Sequence, residues 1–286
     1  MIDPDFLYEL ERFESELKRK VNSVFQGEQE TSETGEGLIF ADHRNYVPGD
    51  DTRLIDWNLY ARTEEHYINR YEEERNLTTH VLLDASGSMD YGDEEANKFD
   101  YAAKIGLGYA YLTAAENNDF RFSVFTDTFE RIDSGRSNEG EVLGLIDTVN
   151  ETEPDGRAEF GRALSEYAKT IGSRSLVLIV SDFIGDLEGI QEGIDSLADH
   201  HLRLVCTLSS EELDLPATGD TILEGIETET NVRTYVGNRT KQQYEERLDD
   251  HLGAVEEHAE SRGAEYVLVD TSDDFFDSFS RAWPRN

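Results

Sequence analysis

The chain has 286 residues, which is enough to bury the core of one large domain. Its 63 acidic and 26 basic residues give a formal net charge of −37, which argues against nucleic acid or an anionic membrane as the main partner. Because uncharged apolar runs such as residues 175–181 are too short to span a bilayer and the chain begins with acidic residues, we expect a soluble, cytoplasmic protein with neither a membrane segment nor a signal peptide.

The first element in chain order is an amphipathic helix. Asp3 and Pro4 favour its start, because an Asp side chain caps free N–H groups and Pro fits the first helical position. Apolar residues then recur at helical spacing, namely Phe6, Leu10, Phe13, Leu17, Val21 and Val24. We expect this stripe to dock on the core of the same chain, and the polar stretch over residues 26–37 to be a linker.

Residues 44–62 form a dense box of arginines, aspartates and aromatic residues. The box reads Arg44-x-Tyr46-x-Pro48-Gly49-Asp50-Asp51-x-Arg53-x-Ile55-Asp56-Trp57, followed by Ala61 and Arg62. Guanidinium groups pair with carboxylates in a fixed geometry, so the box predicts a network of Arg–Asp pairs anchored by its aromatic side chains. An internal brace and a binding surface both fit this pattern.

From residue 77 onward, apolar runs of strand type alternate with helical stretches. The predicted strands cover residues 77–83, 120–125, 128–132, 176–180, 202–208, 221–223, 232–235 and 266–269. The predicted helices cover residues 98–116, 139–149, 160–171, 187–198, 239–262 and 273–283, with residues 209–237 otherwise irregular. This alternation predicts an α/β fold with a mostly parallel central sheet flanked by helices. We divide the chain into an N-terminal part, residues 1–76, packed on a main domain, residues 77–286.

The first buried strand ends in Asp84-Ala85-Ser86-Gly87-Ser88, a turn with oxygen-bearing side chains at alternate positions. Asp182 follows a later aliphatic strand in the same way. Open α/β sheets bind ligands at the carboxyl ends of their strands, and hard oxygen ligands suit Mg²⁺ or Mn²⁺. Asp84, Ser86 and Ser88 are therefore candidate metal ligands, and we expect the two serine hydroxyls to lie on a solvent-facing loop. In a purely structural alternative, Asp84 caps the following helix and the serines are turn residues.

The Asp84-x-Ser86-x-Ser88 motif together with Asp182 resembles the metal-ion-dependent adhesion site of von Willebrand factor type A domains, which have a Rossmann-like fold. The preceding box resembles the signature of the domain of unknown function 58 family, whose members carry a type A-like domain. The resemblance implies that both serine hydroxyls bind a divalent ion directly and that the two aspartates act through water. A threonine completes such sites, but the matching segment Gly156-Arg157-Ala158-Glu159 has Ala158 at that position.

The resemblance implies a non-catalytic protein-interaction module. Genes of this family commonly lie beside genes for MoxR-type AAA ATPases. This implies an adaptor or co-chaperone that works with such an ATPase or its client, which would bind through the ion or directly on the serines. The alternative is a divalent-metal-dependent hydrolase that uses Asp84 and Asp182. The chain has no Gly-x-Ser-x-Gly, His-Glu-x-x-His or phosphate-loop motif, which disfavours several common enzyme classes.

The distribution of charge adds one further expectation. Acidic residues are spread along the whole chain, and only 6 of the 26 basic residues are Lys. This composition is similar to that of haloarchaeal proteins. At molar salt the Debye length is about 3 Å, so the acidic surface would no longer drive the chain apart. We therefore expect a halophilic protein.

Overall fold

The computed structural model describes residues 1–13, 15, 38–46, 59, 67–73, 77–92, 97–215, 219–225, 230–236 and 238–283. The chain divides into two compact units, a main unit of residues 1–19 with 77–286 and a second unit of residues 20–76. The main unit contains the first helix, so this grouping differs from the predicted division between residues 76 and 77. Residues 47–58 and 60–62 of the arginine box lie outside the described residues, as do Leu17, Val21 and Val24 of the predicted helical stripe.

The strands, in chain order, are β1 (Leu38–Asn45), β2 (Tyr67–Glu73), β3 (Thr79–Asp84), β4 (Phe120–Phe125), β5 (Phe129–Arg131), β6 (Leu176–Ser181), β7 (His201–Leu208), β8 (Gly219–Gly225), β9 (Thr230–Val236) and β10 (Glu265–Asp270). The helices are α1 (residues 6–13), α2 (Lys98–Ala115), α3 (Glu139–Asn150), α4 (Phe160–Ala168), α5 (Leu187–Ser196), α6 (Ser210–Leu213), α7 (Asn238–Ser261) and α8 (Phe275–Ala282). A 3₁₀ turn, Gly87–Met89, follows β3. Every strand and helix predicted from residue 77 onward is present, with bounds that differ by a few residues.

Six strands of the main unit form one sheet in the order β10-β7-β6-β3-β4-β5. Every neighbouring pair is parallel except β4 and β5, which pair antiparallel at one edge. The predicted α/β fold with a mostly parallel central sheet is therefore confirmed. Strands β3 and β6 lie in the middle and are buried on both faces, which explains their unbroken runs of Val, Leu and Ile.

Side chains that alternate along the central strands enter two separate cores. Val81 and Leu83 of β3 belong to a first core with α1, α2, α3 and α8, whereas Leu82 between them belongs to a second core with α4, α5 and α7. Helix α2 is almost entirely buried, because it packs on β3, β4 and β6 and also against α3. The two faces of the sheet are thus covered by different sets of helices.

The N-terminal helix docks on the first core, as the sequence predicted. Phe6 and Leu10 of α1 are buried in that core. The backbone just before α1 is held by Asn150 at the end of α3. The Ile2 N–H donates to Asn150 Oδ1 at 2.7 Å, and Asn150 Nδ2 donates to the Ile2 carbonyl at 2.9 Å. These two long-range hydrogen bonds fix the start of the chain on the main unit.

Two antiparallel strand pairs lie outside the central sheet. The second unit contains β1 and β2, with a β-bulge between Phe40 and Asp42. The main unit contains β8 and β9, where the sequence predicted two shorter strands. Helix α6 was not predicted. Ser209 and Glu212 cap its amino end with a reciprocal capping box. None of the described helices is long and apolar enough to cross a membrane.

Candidate functional site

The four predicted site residues come together at the carboxyl edge of the central sheet. Asp84 is the last residue of β3, and Asp182 directly follows β6, the neighbouring parallel strand. Ser86 and Ser88 lie in the loop and 3₁₀ turn after β3. Parallel strands thus bring these side chains to one edge, as the pattern of strand ends predicted.

Asp84 is fully buried, and each of its carboxylate oxygens accepts a hydrogen bond. Oδ1 accepts the Ser86 N–H at 2.8 Å, and Oδ2 accepts the Ser181 hydroxyl at 2.6 Å. Burial, and next the negative charge of Asp182, raise the pKa of Asp84 above its ordinary range, although these hydrogen bonds oppose the shift. The carboxyl group therefore takes up a proton more readily than a surface aspartate does.

The two serines form a short network with one another. Ser86 is buried, Ser88 is half-buried, and their hydroxyl oxygens lie 3.2 Å apart. A neighbouring loop holds the turn between them, because the Gly87 N–H donates to the Gly156 carbonyl at 3.0 Å. The expectation of a solvent-facing loop is therefore wrong for Ser86, and it holds only in part for Ser88.

The segment that matches the family's threonine turn lies beside this loop. The Asp155 N–H donates to the Ala85 carbonyl at 3.0 Å, so the segment runs along the loop after β3. The half-buried Ala158 packs against the second core and offers no ligand oxygen. Glu159 is exposed at the start of α4 and makes no side-chain cap there. The position of the missing threonine is thus occupied by a packing residue.

The ammonium of Lys98 also lies at this edge of the sheet, although no positive charge was predicted there from the sequence. Its Nζ donates to Asp182 Oδ2 at 2.9 Å and to Glu212 Oε1 at 2.7 Å, and the lysine side chain is fully buried. Burial lowers the pKa of Lys98, but Asp182 and Glu212 outweigh this effect and the net shift is upward. The lysine is therefore charged in the folded protein.

The sequence of α2 contained a signal that Lys98 is buried. Lys98 shares one helical face with Ala102, Ile105 and Tyr109, which are all buried. A lysine on such a face needs a carboxylate partner, because an unpaired buried ammonium is strongly disfavoured. Local sequence cannot name the partners, since they lie 84 and 114 residues further along the chain.

The described residues fit a divalent ion poorly. Both oxygens of Asp182 are engaged, because Oδ2 accepts from Lys98 and Oδ1 accepts the Ile184 N–H at 2.9 Å. An ammonium group within hydrogen-bonding distance of a ligand repels Mg²⁺ or Mn²⁺. Within the described part of the chain, no group of three or more His, Cys, Asp and Glu side chains is placed to hold a metal ion. Binding of Mg²⁺ or Mn²⁺ by the four candidate ligands stays a prediction.

In the part of the chain that the structure describes, Ser86 and Ser88 lack the basic partner that a serine nucleophile needs. Among the described side chains, the two serine hydroxyls bond each other and neither has a histidine as hydrogen-bond partner. His80 contacts the Tyr167 hydroxyl at 2.8 Å, and His251 contacts the Phe183 carbonyl at 2.8 Å. A serine hydroxyl requires an adjacent base to attack a substrate at neutral pH. The site therefore gives no support to a serine hydrolase.

A shallow groove opens next to this cluster. The loops after β3, β7 and β10 supply its lining, and its volume is about 490 Å³. The lining residues are Tyr91, Gly92, Ser209, Ser210, Glu211, Thr271 and Ser272. The Tyr91 hydroxyl donates to Glu211 Oε2 at 2.8 Å, and the Lys98 Nζ lies 6.0 Å from the centre of the Tyr91 ring. Five of the seven lining residues carry a hydroxyl group, so the groove offers hydrogen-bonding partners to a segment of another protein.

Solved structures show a distant likeness to this fold. The conserved hypothetical protein BatB from Bacteroides thetaiotaomicron aligns with a TM-score of 0.48 and 15% identity, over 72% of this chain and 96% of that chain. The VWA domain of SpRpn10 aligns with a TM-score of 0.45 and 12% identity, over 73% of this chain and 95% of that chain. Likenesses this weak carry no conclusion about function.

Sequence comparison gives a firmer relationship. The uncharacterized protein Rv1480 of Mycobacterium tuberculosis is 25% identical over 229 residues, which cover 79% of this chain and 72% of that protein. The family model described as "Protein of unknown function DUF58" matches residues 42–253. Because this match covers well over half of the chain, the protein belongs to the DUF58 family.

Proposed function

We propose that this protein is a non-catalytic interaction module that acts as an adaptor or co-chaperone of a MoxR-type AAA ATPase. The observation that carries the proposal is the hydroxyl-bearing groove at the carboxyl edge of the sheet, between Tyr91, Glu211 and Ser272. An open α/β sheet presents its loops to ligands at this edge. Membership of the DUF58 family, and the partnership that the gene neighbourhood of the family implies, support the same conclusion.

The chemistry of the groove favours a polar and partly basic segment of the partner. Ser210 and Ser272 place hydroxyls at its rim, and the carboxylates of Glu211 and Asp270 lie beside them. In dilute salt the net charge of −37 attracts a basic surface at long range, and at molar salt only the carboxylates in direct contact with the partner do so. Because Ser86 is buried, a partner that docked directly on both serines of the motif would require the loop to open. We therefore place the main contact in the groove.

A screen for hydrolase activity tests the non-catalytic part of the proposal. The alternative function is metal-dependent hydrolysis by Asp84 and Asp182, whose carboxylate oxygens are all engaged in hydrogen bonds or ion pairs. We expect no phosphatase or esterase turnover with Mg²⁺ or Mn²⁺. Turnover that disappears in Asp84→Asn would replace the proposal with the hydrolase.

Binding of a purified MoxR-type ATPase tests the docking part. Ser272→Arg adds a long cation at the exposed rim of the groove, where it blocks the space and repels basic groups of the partner. We expect binding to weaken by about ten-fold or more. The matched control is Ser173→Arg, at an exposed serine near the amino end of β6 and thus at the opposite edge of the sheet. Equal binding by wild type and both variants would contradict docking in the groove, and no binding by wild type would contradict the partner.

A further inference from the structure

The buried ammonium of Lys98 lies at a position that is costly for a cation. Lys98 is the first residue of α2, directly after the Asn97 cap, and the positive end of the helix dipole disfavours a cation there. The side chain is also fully buried, a state that lysine almost never adopts without partners. The carboxylates of Asp182 and Glu212 are the groups that offset both effects.

The carboxylates at this edge are equally costly without a cation. Asp84 and Asp182 end neighbouring strands and are both withdrawn from water. Glu212 reaches the same ammonium from α6, and its other oxygen accepts the Ser209 N–H at 2.9 Å within the capping box. The capping box thus fixes the direction of the Glu212 side chain. Two buried aspartates and a half-buried glutamate that converge at one edge require a positive charge among them.

We propose that Lys98 is the resident cation of this edge, so that the carboxylates around the loop after β3 have their counter-ion without a divalent metal ion. A divalent ion would have to share Asp182 with the ammonium, and like charges at that distance repel strongly. Ala158 acts in the same direction, because it withholds the hydroxyl that would complete a metal site. The proposal concerns charges inside the chain, and it holds whether or not a partner docks in the groove.

Titration of the wild-type protein with Mn²⁺ is the first test. Free Mn²⁺ is followed by electron paramagnetic resonance at fixed ionic strength, and thermal unfolding is compared in excess Mn²⁺ and in EDTA. We expect no stoichiometric binding at the Asp84 loop and a melting temperature that changes by less than about 1 °C. One bound Mn²⁺ per chain that Asp84→Asn releases would overturn the proposal. Binding that Asp84→Asn leaves unchanged lies elsewhere on the acidic surface and agrees with it.

Removal of the ammonium is the second test. Lys98→Met keeps an unbranched side chain but leaves Asp182 and Glu212 without their cation, so the melting temperature should fall by about 10 °C. The double variant Lys98→Met with Asp182→Asn removes one charge of each sign and should recover about half of the loss or more. Lys169→Met, at an exposed lysine just after α4, is the matched control and should change the melting temperature little.

The double variant also decides the matter if Lys98→Met does not fold. A folded double variant would then support the proposal, because the neutral pair restores the balance of charge, and an unfolded one would overturn it. If Lys98→Met folds and is as stable as the wild type, Lys98 is not the resident cation. The same conclusion follows if the double variant is no more stable than Lys98→Met.

Discussion

The carboxyl group of Asp84 accepts two hydrogen bonds, but it is buried, and burial disfavours its charged form. Both of its oxygens are bonded, yet burial and the neighbouring Asp182 raise its pKa to about 7. Asp182, by contrast, is bonded directly to the ammonium of Lys98. The ammonium of Lys98 thus pairs with Asp182. Asp84 has no such partner among the described residues, and its raised pKa means that it loses its charge by protonation at a higher pH than an ordinary aspartate does.

Asp84→Asn keeps the shape of this side chain and removes its charge, so its effect on stability should depend on pH. Folding raises the pKa of Asp84 from 3.8 to about 7. The stabilising contribution of this group is therefore fully present below pH 3.8, and it is lost as the pH rises through about 7. The variant has no such loss. Its free energy of unfolding, relative to wild type, should therefore rise between about pH 5 and about pH 8.

Urea unfolding of both proteins at the two pH values measures this difference. The comparison with wild type cancels the titration of the groups that do not interact with Asp84. A difference that stays flat or falls with pH would show that the pKa of Asp84 is not raised.

The sequence located part of this site and could not locate the rest. Asp84 was found because it ends an apolar run of strand type, and Asp182 was found through the resemblance to the metal-ion-dependent adhesion site. Their strands are parallel neighbours and therefore end at the same edge. Lys98 looked like the ordinary start of a helix. The sequence placed Ser181 at the end of a strand. Its hydrogen bond to Asp84 could not be predicted, because the two residues are 97 positions apart in the chain. Glu212 lies in a segment without periodicity, so its role depends on contacts that only the folded chain makes.

Glycines set the distance between helices on both faces of the sheet. In α5, a Cβ added at Gly193 would lie 2.7 Å from Leu164 Cδ1 and 3.0 Å from the Phe160 carbonyl oxygen. In α2, a Cβ added at Gly108 would lie 2.6 Å from the Phe279 ring. In both places a methyl group would push two packed helices apart.

Gly193→Ala and Gly253→Ala should therefore have opposite effects on the free energy of unfolding. Gly193→Ala overpacks the contact between α4 and α5 and should lower the free energy of unfolding by about 1–3 kcal/mol. Gly253 lies in α7 with open space around the added methyl group, so Gly253→Ala should raise it by about 0.5–1 kcal/mol through helix propensity alone. Urea unfolding of the two variants provides the comparison. If Gly193→Ala is as stable as Gly253→Ala, the close approach of α4 and α5 is not a constraint.

The elements that periodicity predicted are those that extend for several residues against a core. Strands β3 and β6 are buried on both faces, and α4 and α5 each bury one face, so their sequences carry a clear pattern. Helix α6 has a single turn, which is too short for any periodicity. The available signal was the capping-box spacing of Ser209 and Glu212. Short elements of this kind are fixed by local hydrogen bonds and not by an apolar face.

Most charged side chains of the described residues lie at the surface. Among the described residues, the buried acidic side chains are Asp84, Asp133 and Asp182, and Asp133 is paired with Arg131. The chain has 63 acidic and 26 basic residues, so most acidic side chains have no basic side chain to pair with. Folding therefore gathers many like charges on one surface, and their mutual repulsion opposes the compact state.

Salt should stabilise this protein by screening that repulsion. The Debye length falls from about 10 Å at 0.1 M salt to about 3 Å at 1 M, so most surface charges cease to interact. We expect the melting temperature, followed by circular dichroism, to rise by about 10 °C or more between dilute buffer and molar KCl. Sucrose at matched osmotic strength is the control, because it favours the compact state without screening charge. A melting temperature that does not change with KCl, or that rises equally in sucrose, would show that charge repulsion does not limit the stability of the fold.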